Sequence, residues 1–264
     1  MIRNKMGTGY VWMTVLVYLF GGFAAGQNRV LDHNAVGWYT YNGDHKISDK
    51  WAIHTEYQWR RIDLIRTWQQ SLARLDVVRT MSNRVKLGTG YTYFVTYPFG
   101  QYPQADAGVP YPEHRLHEDI QLKDSYGRLE LTQRFRLEQR WLGTLSQQDP
   151  RQVASWKFQN RIRYQIAGEL PLKGPKIDDG ELYLTFFDEL FISFGQNVGQ
   201  NIFNQNRISG GLGYQVRDNI QLELNYLNQV LQHAAKDPAT GKPVFEINNG
   251  FRLNVVYNID FTKQ

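Results

Sequence analysis

The feature that most constrains this chain is a period-two alternation of apolar and polar residues, sustained over segments of ten residues or more. Near the C-terminus Phe251, Leu253, Val255, Tyr257, Ile259 and Phe261 alternate with Arg252, Asn254, Val256, Asn258 and Asp260. Ile220, Leu222, Leu224 and Tyr226 alternate in the same way with Gln221, Glu223 and Asn225. Trp156, Phe158, Ile162, Tyr164 and Ile166 do so with Lys157, Gln159, Arg161, Arg163 and Gln165. Successive side chains of a strand point to opposite faces, so each segment predicts a strand with one greasy and one polar face.

Eleven such segments are predicted, at 35–47, 51–61, 67–80, 83–96, 114–123, 126–142, 153–168, 180–194, 204–217, 219–232 and 248–261. Many exceed the five or six residues usual in globular sheets and suit the tilted crossing of a bilayer. The predicted fold is therefore all-β, an antiparallel up-and-down transmembrane β-barrel. Barrels of this kind in bacterial outer membranes normally have an even strand count. Twelve strands are expected on that rule, with one hidden near Gln27 to Asn34, and ten is the alternative. Long polar links follow the segments ending near Thr96, Leu142, Phe194 and Gln232, and short ones alternate with them, as outer loops and inner turns do. Pro171 to Gly180 is the exception, a long link where a short one is expected.

The N-terminus has the form of a secretory signal peptide. Arg3 and Lys5 precede an apolar run from Val11 to Phe23, followed by Ala24, Ala25 and Gly26. Such a segment is removed on export. The expected division is a signal peptide over 1–26 and a barrel over 27–264. Mean hydropathy is −0.52, too polar for a bundle of membrane helices. A barrel escapes that objection because only alternate residues of its strands need be apolar. Aromatic residues make up 14% of the chain, with 16 Tyr and 7 Trp, and several (Trp51, Trp59, Tyr93, Trp141, Trp156) fall near strand ends, where membrane interfaces lie. A water-soluble barrel with its apolar face inward is the competing architecture. Glycines on the polar face at Gly88, Gly90, Gly211 and Gly213 suit a crowded lumen instead.

If the apolar faces meet lipid, the opposite faces fill the barrel. They carry Arg134, Arg136, Glu138 and Arg140 on one strand, Arg161 and Arg163 on the next, and then Glu189, Arg207, Glu223 and Arg252. Charges confined in a narrow lumen are costly unless paired, so cross-strand arginine–carboxylate pairs are expected. Because arginine and acid are interleaved, an ion-pair network stiffening the wall is the leading expectation, and binding or selection of an anionic solute is the other.

Catalytic chemistry finds little support in the residues. None of His33, His45, His54, His114, His117 and His233 lies two residues before a serine, and no G-x-S-x-G elbow occurs. His114 and His117 are three apart, which on a strand puts them on opposite faces. No catalytic residue, metal ligand or cofactor is assigned, and an activity as an enzyme is not expected. The absence of cysteine excludes a disulfide framework and a thiolate metal site. A net charge of +5 implies no polymer-binding face, hence no nucleic-acid partner.

Several segments together carry a resemblance: Trp38 through Trp59 with the Ser48-Asp49-Lys50-Trp51 turn, Glu113-His114-Arg115, Arg134 through Arg140, and Asn206-Arg207 through Gly211-Leu212-Gly213-Tyr214. In order and spacing the chain resembles a family of bacterial outer-membrane barrels described only as a domain of unknown function. The resemblance covers nearly all of the chain after residue 26. It implies location and architecture and supplies no catalytic residues. The expected setting is the outer membrane of a Gram-negative cell, with outer-membrane lipids and the barrel-insertion machinery as partners and any small solute unknown. The expected role is structural or that of a narrow, porin-like channel. The alternatives are an outer-membrane lipid hydrolase or lipid-modifying enzyme, and a barrel that adheres or forms complexes through its long loops.

Overall fold

A computed structural model describes residues 28–103, 108–199 and 201–263. The expected signal segment lies outside them. The described residues form eleven long strands: β1 (Val30–Lys46), β2 (Trp51–Ile62), β3 (Thr67–Thr80), β4 (Val85–Thr96), β5 (Tyr111–Tyr126), β6 (Leu129–Leu145), β7 (Val153–Pro171), β8 (Leu182–Phe194), β9 (Phe203–Arg217), β10 (Ile220–Lys236) and β11 (Pro243–Tyr257). A two-residue strand, β12 (Ile259–Asp260), follows. Each long strand pairs antiparallel with the next in sequence, and β1 pairs with β11, which closes the sheet. No helix among the described residues is long and apolar enough to cross a membrane.

The expected even count is not what the fold contains. Eleven strands form the wall, and the seam is parallel, from Val30 opposite Val244 to Asn42 opposite Val256. Eleven strands are joined by ten antiparallel steps, and an even number of reversals leaves the first and last strands pointing the same way, so closure has to be parallel. The residues considered for a hidden strand, from 30 on, are instead the start of a 17-residue β1. The C-terminal segment breaks at Asn258, and the short β12 beyond it pairs with the end of β1 rather than extending β11.

One end of the barrel carries the links 47–50, 81–84, 127–128 and 218–219 together with the longer 172–181. The other carries the links that follow Ile62, Thr96, Leu145, Phe194 and Lys236. We refer to these as the short-turn end and the long-loop end. β1 begins at the long-loop end.

The wall is inside out relative to a water-soluble protein. Leu75, Ile120, Ile162, Leu212 and Leu224 are between 47% and 58% exposed on its outer face, whereas Glu138, Arg60, His117 and Arg136 are at most 3% exposed within. The outward polar residues are mostly paired with one another. Gln139 Nε2 donates to Glu118 Oε2 at 3.1 Å, Asn206 Nδ2 to Asp188 Oδ1 at 2.6 Å, and Asn228 Nδ2 to Asn249 Oδ1 at 2.7 Å. Rings of the outer face gather toward the long-loop end, where Tyr39, Trp59, Trp68 and Tyr97 contact in series with centroids 5.0–6.0 Å apart.

Two glycines show how closely the wall is fitted. A Cβ at Gly90 would lie 2.0 Å from Asp76 Oδ1, inside the lumen. At Gly250, on the seam, it would lie 1.7 Å from the Val36 carbonyl oxygen, where only backbone movement could relieve it. Gly250→Ala should therefore weaken the barrel by about 1–3 kcal/mol or more. Gly88→Ala, whose nearest neighbour would be 3.5 Å away, should be tolerated. Unfolding midpoints of the two variants in detergent, followed by tryptophan fluorescence, provide the comparison; equal midpoints would contradict the parallel seam.

Candidate functional site: the charged lumen

The register of neighbouring strands brings acid opposite base. Asp119 of β5 faces Arg136 of β6, Glu138 of β6 faces Arg161 of β7, and Glu189 of β8 faces Arg207 of β9. Because alternate residues share a face, each such pair has further charged neighbours two positions along its own strand. Lateral networks result instead of isolated pairs.

Three carboxylates organise the middle of the lumen. Glu113, 2% exposed, accepts from Arg115 Nε at 2.7 Å and Nη2 at 3.0 Å, and from Arg140 Nε at 2.5 Å and Nη2 at 3.0 Å. Glu138, wholly buried, accepts from Arg161 Nε at 2.8 Å and Arg163 Nη1 at 2.6 Å. Arg163 turns its other nitrogens to Glu189 Oε1, at 2.6 and 3.0 Å, so one guanidinium bridges two acids. Arg134 Nη2 reaches the same Glu189 oxygen at 2.8 Å. Charge-assisted, forked contacts of this kind are the strongest hydrogen bonds a protein makes, and here they offset the cost of burial.

Two further groups lie on the β2–β6 side. Arg74 pairs with Glu56 and donates from Nε to Thr92 Oγ1 at 3.0 Å. Arg136 holds Asp119 with two nitrogens and lies 3.7 Å from Asp76, while His117 Nε2 is 3.1 Å from Asp76 Oδ1, a close contact without hydrogen-bond alignment. Asp76, His117 and Asp119 offer ligand atoms within 4.8 Å of one another. Arg136 already supplies the positive charge at that cluster, so a cation would have to displace a forked guanidinium.

Aromatic rings are threaded among the charges. Arg60 lies over Trp38 at 3.8 Å, Arg115 over Phe94 at 4.0 Å, and Arg163 and Arg207 over Phe191 at 4.5 and 4.6 Å. Such stacking gives a desolvated guanidinium about 0.5–2 kcal/mol. Toward the long loops the inner faces of β1, β2 and β10 add an apolar cluster of Val36, Trp38, Ile62 and Leu227, against which Phe99 and Phe187 pack, beside a buried polar set of Gln205, Gln229, His233, Glu246 and Asn248. Phe99 belongs to the link after β4, which folds back over β1: Tyr102 N donates to Asp32 Oδ2 at 3.4 Å. This half of the lumen is filled.

The short-turn half is not. A cavity of about 530 Å³ extends from a rim that includes Asp44 and Asn258 to a floor that includes Trp38, Arg60 and Arg207.

Every residue of the expected network points inward, but the ten do not form one set. Arg134, Arg136, Glu138, Arg140, Arg161, Arg163, Glu189 and Arg207 make ion pairs. Glu223 is satisfied by neutral donors, Tyr183 Oη at 3.2 Å and Asn254 Nδ2 at 2.9 Å. Arg252 has the Phe187 ring at 5.8 Å and no ion pair among the described residues. Sequence reasoning did not single out Glu56, Arg60, Arg74 or Asp76 as lumen residues. Their signal was available in the steps of two along β2 and β3, Glu56-Gln58-Arg60 and Arg74-Asp76. Nor did it single out as lumen residues Glu113, Arg115, His117 and Asp119, which share the inner face of β5; His114 lies on the other face, in contact with Tyr91 and Trp156. The polar side-chain contacts of the histidines among the described residues are with Tyr, Thr, Asp and Glu, none with serine.

Fold and interior together define a class: a closed all-β barrel with an apolar outer wall and a charged, partly filled lumen. Residues 36–240 match the family model described as a protein of unknown function, DUF2490. The chain belongs to that family. No curated protein matches it.

The network predicts a sharp contrast between acids. Glu138→Leu leaves Arg161 and Arg163 short of their shared carboxylate and should cost about 3–5 kcal/mol. Glu118→Gln on the outer face should change stability by less than about 1 kcal/mol. Urea unfolding of the two variants in detergent distinguishes them, and equal losses would show that the lumen pairs do not hold the wall.

Proposed function

We propose that this chain is an exported, non-enzymatic barrel of a bacterial outer membrane, structural in character, with a lumen blocked on the long-loop side. The observation that carries the reading is the polarity of the wall. Leucine, isoleucine and phenylalanine cover its outside, and arginine and glutamate are buried inside. In water that arrangement exposes apolar surface and buries charge, both unfavourable; against hydrocarbon it removes the first penalty entirely. The closed sheet supports the same reading, because lipid offers nothing to unpaired backbone groups and only a wall without edges satisfies them all. The outward tyrosines and tryptophans near the long-loop end suit the headgroup level.

Strand length sets the disposition. A bilayer is crossed by about 9–11 residues of a tilted strand, and strands of 15–19 residues, such as β1, β6, β7 and β10, must extend beyond it. The long-loop end is then the outer side and the short-turn end faces the periplasm. The Phe99 and Trp38 cluster closes the outer half, and the Arg–Glu network narrows the middle. A structural barrel is favoured over a channel on that account.

Fractionation of expressing cells tests the location: the protein should follow the outer membrane and show a heat-modifiable band on a gel. Recovery from the soluble periplasm would overturn the membrane reading. Planar-bilayer recording tests the blocked lumen separately, and sustained steps of porin size from wild-type protein would overturn it.

A further inference from the structure

The interior charges do not balance where the barrel is emptiest. Glu113 is taken by Arg115 and Arg140, Glu138 by Arg161 and Arg163, and Glu189 by Arg134 and Arg163. Among the described residues Arg60 has no carboxylate partner, and Arg207 has only a distant share of Glu189, which other arginines hold closely. Arg60, 2% exposed, donates only to the neutral oxygens of Gln58 and Gln70. Arg207 comes no closer than 3.9 Å to Glu189, and its buried Nε has no hydrogen-bond partner. The buried Nε of Arg134 is likewise unpartnered. Arg252, on the neighbouring inner face of β11, has no ion pair among the described residues either.

All four guanidinium groups line the cavity that opens at the short-turn end. The acids sharing that space are committed or peripheral. Glu56 holds Arg74, Asp44 pairs with His54 at the rim, Glu223 accepts from Tyr183 and Asn254, and Glu169 sits two residues from the short-turn end of β7. A desolvated guanidinium lacking a counter-charge is expensive, and the forked donors of arginine match a tetrahedral oxyanion. We propose that this vestibule is a binding site for a phosphoryl oxyanion, held on the floor made by Arg60, Arg207 and Arg252. Free phosphate, a soluble monoester and a lipid headgroup share that chemistry.

Phosphate binding depends on the interior alone. A folded barrel that ignores phosphate therefore leaves the membrane reading standing, and a barrel found elsewhere in the cell leaves the site standing. The test is calorimetric titration of the full-length protein, folded in phosphate-free detergent, with inorganic phosphate and separately with dihexanoyl phosphatidic acid. Saturable binding of at least one is expected, undiminished by equimolar chloride and weakened at least tenfold in Arg207→Gln/Arg252→Gln. Tighter binding of the lipid identifies a headgroup as the source, and equal or weaker binding identifies the free anion. Absence of saturable binding to folded protein, or unchanged affinity in the double variant, overturns the proposal. Trp38 gives a second readout in case the double variant does not fold, since Arg60 and Arg207 lie 3.8 and 5.0 Å from its ring. Ligand should change tryptophan emission in the wild type and not in Trp38→Phe, and a change that persists in Trp38→Phe would place the ligand elsewhere.

Discussion

The buried pairing of guanidinium with carboxylate is what the rest of this barrel depends on. A closed sheet whose apolar residues face outward has no hydrophobic core of the usual kind to hold opposite walls in register. Its interior must be filled by groups that bind one another directionally. Arg163 reaching both Glu138 and Glu189, with Arg161 and Arg134 completing the two acids, ties β6, β7 and β8 together through side chains as well as through the ladder. Removing one member leaves a charge in a place where water is scarce, so the network is cooperative in the sense that its parts are worth little alone.

Filling is uneven along the axis, and the unevenness has a simple origin. At the long-loop end the inner faces of β1, β2 and β10 supply Val36, Ile62 and Leu227, and the link after β4 adds Phe99 from above. At the short-turn end the same faces supply Asn42, Glu56 and Glu223, side chains that stay hydrated more cheaply than they pack. The long-loop half thus holds a small apolar cluster beside buried polar side chains and the short-turn half an open polar cup, within a single uninterrupted wall.

Much of this was legible in the sequence. Period-two alternation locates β3 at 67–80 with no error at either end and places Arg134, Arg136, Glu138 and Arg140 on one face of β6. What alternation does not encode is how the two ends of a sheet meet. The seam joins residues 30–42 to 244–256, and whether they run parallel depends on the total number of strands, not on any local pattern. The even-count rule therefore misled where strand spotting did not. Trp38 was hidden for a different reason: it lies on the inner face of β1 among Asp32, Asn34 and Thr40, an apolar ring on a polar side. Arg60 was obscured because Arg61 follows it, so both faces of β2 end in arginine and the alternation loses contrast there.

Charge stoichiometry is the other quantity that pattern reading misses. Interleaved arginine and acid along β6 suggest a balanced lattice, and locally they give one. Balance is a property of the assembled lumen, however, and depends on which strands face one another across it. Arg60 from β2 and Arg207 from β9 both reach the Trp38 ring on β1, bringing onto one aromatic surface two positive charges from strands far apart in sequence. Stacking on an indole lowers the cost of that approach but does not cancel like-charge repulsion. With side chains packed above and an open cup below, the short-turn side is the open direction from which a compensating negative charge can arrive.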